Sequence, residues 1–350
     1  MTILIGNTAV GPGHPPFVIA EMSGNHDGSL DRALAIVDAA ADAGVNAVKL
    51  QTYTADTMTL DIDRDEFVIS NTDSLWYGRT LYGLYEEAHT PWAWHEPIMN
   101  RAKERGLLCF SSPFDGTAVD FLEELDVPCY KIASLEITDI PLIERVAATG
   151  RPVIISTGIA SLDEITDAVD AARGAGCEDL ILLKCTSSYP ALPEDIHLRT
   201  ISDLRKRFDC QVGLSDHTLG IGVPVAAVSL GATVIEKHIT LSRDGGGVDA
   251  AFSLEPDEFA SLVVEADRAQ RSLGSAEYRE TASAATRSRR RSLYVTEDIR
   301  AGEALTADNM RSIRPGLGLE PKHFKSLLGR QVAADTSRGT PLSWDLLLPE

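Results

Sequence analysis

Residues 17–51 read FVIAEMSGNHDGSLDRALAIVDAAADAGVNAVKLQ. A short apolar run, 17–21, closes on Glu21. Small and polar residues follow, then LDRALAIVDAAADAG, in which apolar residues recur at i, i+3 and i+4 until Gly44. That is the period of an amphipathic helix with a glycine stop. A second apolar run, 47–51, comes at once and carries Lys49 and Gln51. Strand, helix, strand with short links is the unit of a parallel sheet.

The alternation continues to about residue 240. Further strands are expected at 107–111, 129–132, 153–156, 180–184, 212–215 and 233–236, making eight. LDEITDAVDAARGAG repeats the helical pattern and ends at Gly176. Eight such units predict a (β/α)8 TIM barrel. An open doubly wound sheet is the competing arrangement, but its glycine-rich dinucleotide fingerprint is missing after the first strand. Residues 52–96 are too long for one connection and hold an aromatic tract, LWYGRTLYGLYEEAHTPWAWH. Such an insertion either lines a binding site at the barrel mouth or forms a surface subdomain with its own small core.

The 350 residues are 44% apolar and 24% charged, the balance of an ordinary globular protein and not of a disordered chain. No apolar run approaches the roughly 20 residues of a membrane helix. The net charge of −20 makes nucleic acid and anionic membranes unsuitable partners. Five cysteines without close pairing, and an N-terminus with no basic stretch before an apolar run, lead us to expect a cytoplasmic enzyme. Residues 1–275 hold 20 basic and 42 acidic residues, whereas 276–350 hold 12 and 10. The shift predicts a barrel over 1–275, a linker over 276–291 and a small β-rich domain over 292–350.

Chemistry in such a barrel sits at the C-terminal strand ends, and here these ends are polar throughout. In chain order they carry Glu21, Asn25 and His26; Lys49 and Gln51; Ser111 and Ser112; Lys131, Ser134 and Glu136; Ser156 and Thr157; Lys184, Ser187 and Tyr189; Ser215, Asp216 and His217; Glu236, Lys237 and His238. The chain has only eight lysines, and four of them stand at or beside these ends. An acidic protein that gathers its rare lysines at the barrel mouth is expected to hold an anion there. Ser112, Ser134, Ser156, Ser187 and Ser215 would complete a phosphate cradle. Lys237 alternates with Glu236 and His238, so it is expected to point away from the lumen if they point in. His217 and His238 end adjacent strands and can form a divalent-metal site with open positions for water and substrate. No GxxxxGK[ST] loop and no HExxH occurs.

The ordered segments AEMSGNHDGSLDRALAIVDAAADAGVNAVKLQ, FSSPFD, YKIASLEITDIPLI, VIISTGIAS, LLKCTSSYP, VGLSDHTLG and VIEKHITL resemble the sialic acid synthase family over residues 15–275. RRSLYVTEDIRAGEALTADNM and SIRPGLGL resemble the antifreeze-like (SAF) domain that follows the barrel in that family. Within it, LYEEAHTPWAWH, GTPLSWDL and GVDAAFSLEPDEF look most like the pseudaminic acid synthases. The resemblance implies condensation of phosphoenolpyruvate with an open-chain amino-sugar aldehyde, with loss of phosphate. It implies Mn²⁺ or Mg²⁺ on His217 and His238, and Glu21 as the main catalytic carboxylate. Lys49, Ser112, Lys131, Ser134, Ser156, Ser187 and Ser215 would hold phosphoenolpyruvate, with Gln51 and Tyr189 nearby. Glu136 and Asp249, with Asn25, would serve the sugar. Arg314 would reach from one subunit into its partner's barrel in a domain-swapped homodimer. Ser187 and Lys184 depart from the Asn and His common in N-acetylneuraminate synthases, which suits a different sugar. The alternatives are an N-acetylneuraminate or legionaminic acid synthase, a metal-dependent pyruvate aldolase, and a non-catalytic carbohydrate-binding protein.

Overall fold

In the computed structural model, which describes residues 2–72, 74–278 and 283–349, the chain opens with an antiparallel hairpin, β1 (Ile3–Ile5) and β2 (Thr8–Val10). Ile3, Ile5 and Val10 are buried in the main core. Gly6, in the turn at φ +55°, lies against Leu108 at the start of a barrel strand, so the hairpin covers the N-terminal end of the barrel. Eight parallel strands follow: β3 (Phe17–Glu21), β4 (Ala47–Thr52), β5 (Leu108–Pro113), β6 (Tyr130–Ile132), β7 (Val153–Ser156), β8 (Leu180–Cys185), β9 (Gln211–Asp216) and β10 (Val234–His238). Each pairs with the next in sequence, and β10 returns to β3, closing the barrel.

Most strand residues are buried on both faces, because the lumen and the helical layer both exclude water. Helices Leu30–Asp42 and Leu162–Gly174 stand where the apolar period put them. Ser29 caps the first, and Ser161 forms a capping box with Glu164 on the second. Two strands keep the expected bounds, 17–21 and 153–156. Five run one or two residues further than expected, to Thr52, Pro113, Cys185, Asp216 and His238. Polarity suggested a stop at these points. At a barrel mouth, polar side chains can stay in the ladder because the neighbouring strands bury and pair them.

The chain divides into two compact units, Met1–Gly274 and Ser275–Glu350. The second has its own core of Leu293, Val295, Ile299, Leu305, Met310, Leu327, Val332 and Leu342. Its strands β11 (Ser292–Val295) and β12 (Met310–Ile313) pair antiparallel. Isolated bridges such as Ile299–Thr336 and Ala304–Gln331 tie in the rest. The alternating strands expected there are mostly such single bridges, because turns like RAGE and SRGT interrupt every ladder. Residues 279–282 of the expected linker lie outside the described residues. All five cysteines are buried and unpaired. Among the described residues no helix is long and apolar enough to cross a membrane.

Candidate functional site

Four buried charges meet in the lumen. Register places Glu21 beside Lys49 across β3 and β4, and Glu236 beside Ser215 across β10 and β9. Lys49 Nζ contacts Glu21 Oε2, donates to Ser112 Oγ at 3.3 Å and lies 3.9 Å from Glu236 Oε2. Lys131 Nζ lies 3.5 Å from Glu236 Oε1, which also accepts from Ser215 Oγ at 3.0 Å. The backbone N–H of Ser23 donates to Glu21 Oε1 at 3.0 Å.

These groups do not share charge evenly. Burial raises the Glu21 carboxyl from 4.5 to about 7; Lys49 opposes the rise and Glu236 adds to it. Burial also disfavours ionised Glu236, but Lys131 and Lys49 overcome it and hold this carboxyl below its usual range. Burial pulls the Lys49 ammonium down, yet Glu21 and Glu236 hold it above its ordinary value. Lys131 is lowered, because burial outweighs Glu236. The cluster therefore contains one firm carboxylate and one that accepts a proton near neutrality. An incoming anion could displace Glu21 from Lys49.

Beside the lysines, a pocket of hydroxyls forms where β6, β7 and β8 end. Gly158 N donates to Ser134 Oγ at 3.0 Å. A Cβ at Gly158 would come within 3.0 Å of Ser187 Oγ, Ser134 Oγ and Cys185 Sγ, so only glycine lets these groups converge. Ser156 Oγ is buried without a hydrogen-bond partner. Of the four mouth lysines, only Lys49 and Lys131 enter the cluster. Lys184 Nζ bonds Cys185 O and Thr186 Oγ1. Lys237 turns to the outer face, where Nζ pairs with Asp216 Oδ2 at 2.5 Å and with Thr218 O.

The histidines do come together, with ring centroids 5.4 Å apart. His217 Nδ1 lies 2.9 Å from Thr186 O. A carbonyl only accepts, so that nitrogen carries a proton and Nε2 is the nitrogen that would face a metal in the neutral ring. Burial pulls the ring's pKa down, but contacts with Cys185 and Thr186 O hold it above its ordinary value. His238 Nδ1 is buried without a hydrogen-bond partner and lies 3.9 Å from Asp249 Oδ2. Burial, then His217, hold the His238 imidazole well below its ordinary pKa. A neutral imidazole with an unpartnered nitrogen beside a second imidazole fits a divalent cation. Among the described residues no group of three or more His, Cys, Asp and Glu is arranged to hold a metal. The pair therefore fits a site that water and substrate oxygens complete.

Beside His238 lies a cavity of about 350 Å³. Ser23, Gln51, Tyr189, His238 and Asp249 line it. Asp249 accepts from Ser23 Oγ, and burial raises its carboxyl. Tyr189 packs 4.5 Å from the His217 ring. Burial raises Glu136 to about 7, and its Oε2 has no hydrogen-bond partner. Asn25 is fully buried, and its amide donates to Ile239 O and Ser253 Oγ, each at 2.8 Å. Arg314 lies in the second unit, exposed just after β12. Ile69, Trp76, Leu81, Leu84 and Tyr85 of the insertion line the same cavity. Of its two readings, the insertion thus takes the one at the barrel mouth.

Sequence reasoning gave no role to Glu236, Gly158 or Cys185. Glu236 was legible: it stands two residues before His238 and so shares its face. The convergence at Gly158 joins three separate strand ends, and no local pattern announces it.

The NeuB family matches residues 36–278, and the SAF domain matches residues 290–348. The chain is 43% identical to the pseudaminic acid synthase of Campylobacter jejuni subsp. jejuni serotype O:23/36 (strain 81-176), over 93% of this chain and 95% of that one. It is 42% identical to the pseudaminic acid synthase of Helicobacter pylori, over 95% and 97%. The crystal structure of N-acetylneuraminic acid synthetase from Leptospira borgpetersenii serovar Hardjo-bovis, in complex with citrate, superposes with a TM-score of 0.72. It is 35% identical and covers 81% of this chain and 93% of its own.

Proposed function

The chain belongs to the NeuB family, and from that premise we propose that it is a pseudaminic acid synthase. Its reaction condenses phosphoenolpyruvate with 2,4-diacetamido-2,4,6-trideoxy-altrose and water, giving pseudaminic acid and phosphate. The observation that carries this reading is the lumen cluster: two buried ammonium groups and converging hydroxyls beside an unpartnered imidazole.

Lys49 and Lys131 receive the anionic substrate, with Ser112, Ser134, Ser156, Ser187, Ser215 and the Gly158 N–H around it. Gln51 and Tyr189 close that side. His217 and His238 would hold Mn²⁺ or Mg²⁺, which supplies Lewis-acid polarisation of the acceptor's aldehyde oxygen. C3 of phosphoenolpyruvate bonds to the aldehyde carbon, and C2 becomes cationic. Glu21 faces that charge as carboxylate, orients the water that adds at C2 and takes its proton, which a pKa of about 7 permits. The proton gained by Glu21 is matched by one taken up at the former aldehyde oxygen, which becomes a hydroxyl. The C2–O bond to phosphate then breaks as the new C2 hydroxyl gives up its proton, leaving a C2 ketone and inorganic phosphate. Glu136 and Asp249 bind sugar hydroxyls or amides, and Asn25 holds the frame beneath them.

We further propose that residues 276–291 are a linker and 292–350 a SAF domain that swaps between the subunits of a cytoplasmic homodimer. Arg314 would then serve the partner's acceptor site. Mixed dimers of Arg314→Ala and His217→Ala parents test this. Swapped tails give one intact site and restored activity, whereas cis tails give none.

The test of function is phosphate release from phosphoenolpyruvate with a panel of 2-acetamido sugars. The reading expects the altro-configured diacetamido sugar to lead. Preference for N-acetylmannosamine or a legionaminic precursor would overturn it.

A further inference from the structure

We infer that Arg32 is a positioning residue for the acceptor: its guanidinium ties two loops of the barrel mouth together and thereby sets Asp249 in the cavity. The inference rests on the synthase reading above and deepens it. Arg32 lies in the first turn of the helix Leu30–Asp42 and is not among the residues that line the cavity. Its side chain reaches three backbone carbonyls. Nε donates to Asn25 O at 2.8 Å, in the loop after β3. Nη1 and Nη2 donate to Gly245 O at 2.5 Å and Gly246 O at 2.7 Å, in the loop after β10. A planar guanidinium presents its donors at fixed angles, so three carbonyls held at once fix the spacing of the two loops.

The second loop needs such a tie. Gly245, Gly246 and Gly247 follow one another, and the first two are exposed. Glycines in solvent have the widest choice of backbone conformation, so this stretch has little of its own to hold one shape. Its fit to the first loop is close: a Cβ on Gly247 would stand 2.9 Å from Asn25 Oδ1. The Asn25 amide reaches Ser253 Oγ, which donates to Asp249 O at 2.7 Å.

Beyond Gly247 the chain runs directly into Val248 and Asp249, both in the cavity lining. Val248 O accepts from Trp76 Nε1 at 3.1 Å, and Asp249 Oδ2 lies 3.9 Å from His238 Nδ1. Ser23 and Ser253 hold Asp249 itself. Arg32 holds the other end of the stretch, and so decides where the Asp249 carboxyl and the Val248 carbonyl stand relative to the acceptor.

Two variants test this. Arg32→Lys keeps the charge and loses the fork, and Arg32→Ala loses both. Both should fold, because the buried face of the helix is Ala33, Ile36, Val37 and Ala40. In each, kcat/KM for the altrose acceptor should fall roughly 10–100-fold, the scale at which a small misplacement is felt. The calorimetric Kd for phosphoenolpyruvate should not move. The Trp76 indole gives a readout independent of turnover. With isotope-labelled tryptophan, and Trp76→Phe to assign the signal, the Trp76 Nε1–H resonance should shift in both Arg32 variants, because Val248 O moves with the loop. An unmoved resonance, an Arg32→Lys chain with wild-type kcat/KM, or an equal loss of phosphoenolpyruvate affinity overturns the inference and leaves the synthase reading standing. Wild-type protein that releases phosphate with no 2-acetamido sugar overturns the synthase reading, and the indole resonance still decides whether Arg32 sets the loop.

Discussion

Strand β10 carries a buried lysine–carboxylate system on each of its faces, and the two are built differently. On the outer face Lys237 pairs with Asp216, its direct neighbour in register on β9, and with Thr218 O; Asp216 also takes the N–H and hydroxyl of Thr218. Every charge there is matched locally. On the inner face Glu236 and Glu21 share Lys49 and Lys131. Glu236 Oε2, Ser156 Oγ and His238 Nδ1 are left buried without hydrogen-bond partners. A closed network fixes the wall that bears His217 and His238. An open one has capacity left for a ligand. The same residue types thus close a network on one face and leave one open on the other.

Lys237→Met should expose the contrast most sharply. It strips Asp216 of its partner, and breaking a buried pair costs about 3–5 kcal/mol, measured by denaturant unfolding. Lys131→Met should cost far less stability, because Lys49 still neutralises Glu236; equal losses would erase the distinction between the faces. His238→Ala comes next. No hydrogen bond to Nδ1 is lost, so the fold should stand while Mn²⁺ affinity, followed by titration calorimetry, falls more than the roughly 10–100-fold typical of losing an outer partner of a metal ligand. Unchanged Mn²⁺ binding would remove the metal from the inner face.

The inner face should also govern pH dependence. The folded pKa of Glu21, about 7, lies above its ordinary 4.5. The stability this protonated carboxyl contributes is full below about pH 4.5 and lost as pH rises through about 7. Glu136 acts in the same direction. Glu21→Gln should flatten part of the fall in melting temperature between pH 5 and 8; an unaltered slope would refute the assignment. The smallest effect is expected far from both faces. Ser161→Ala removes a capping box and should cost about 1 kcal/mol with kcat/KM unchanged.

The barrel was legible because its units repeat one local pattern, a buried run that closes on polar residues before an amphipathic helix. Several units add a glycine stop such as Gly44 or Gly176. Alternation also anticipated that Lys237 faces away from Glu236 and His238. What the sequence concealed depends on distant strands meeting. Lys184 looked equivalent to Lys49 and Lys131, yet it bonds its own loop. The role of residues 52–96 stayed open because their apolar residues follow no single period. Only the closed barrel brings Trp76 and Leu81 to one cavity with Asp249.

The central claim is that the open inner network is the phosphoenolpyruvate site, and calorimetric titration of phosphoenolpyruvate tests it most directly. The folded wild-type chain should bind one equivalent per subunit. Lys131→Met should weaken binding roughly 10–150-fold, the equivalent of about 1.5–3 kcal/mol for a charge-assisted contact. An unchanged affinity in folded Lys131→Met would contradict the account.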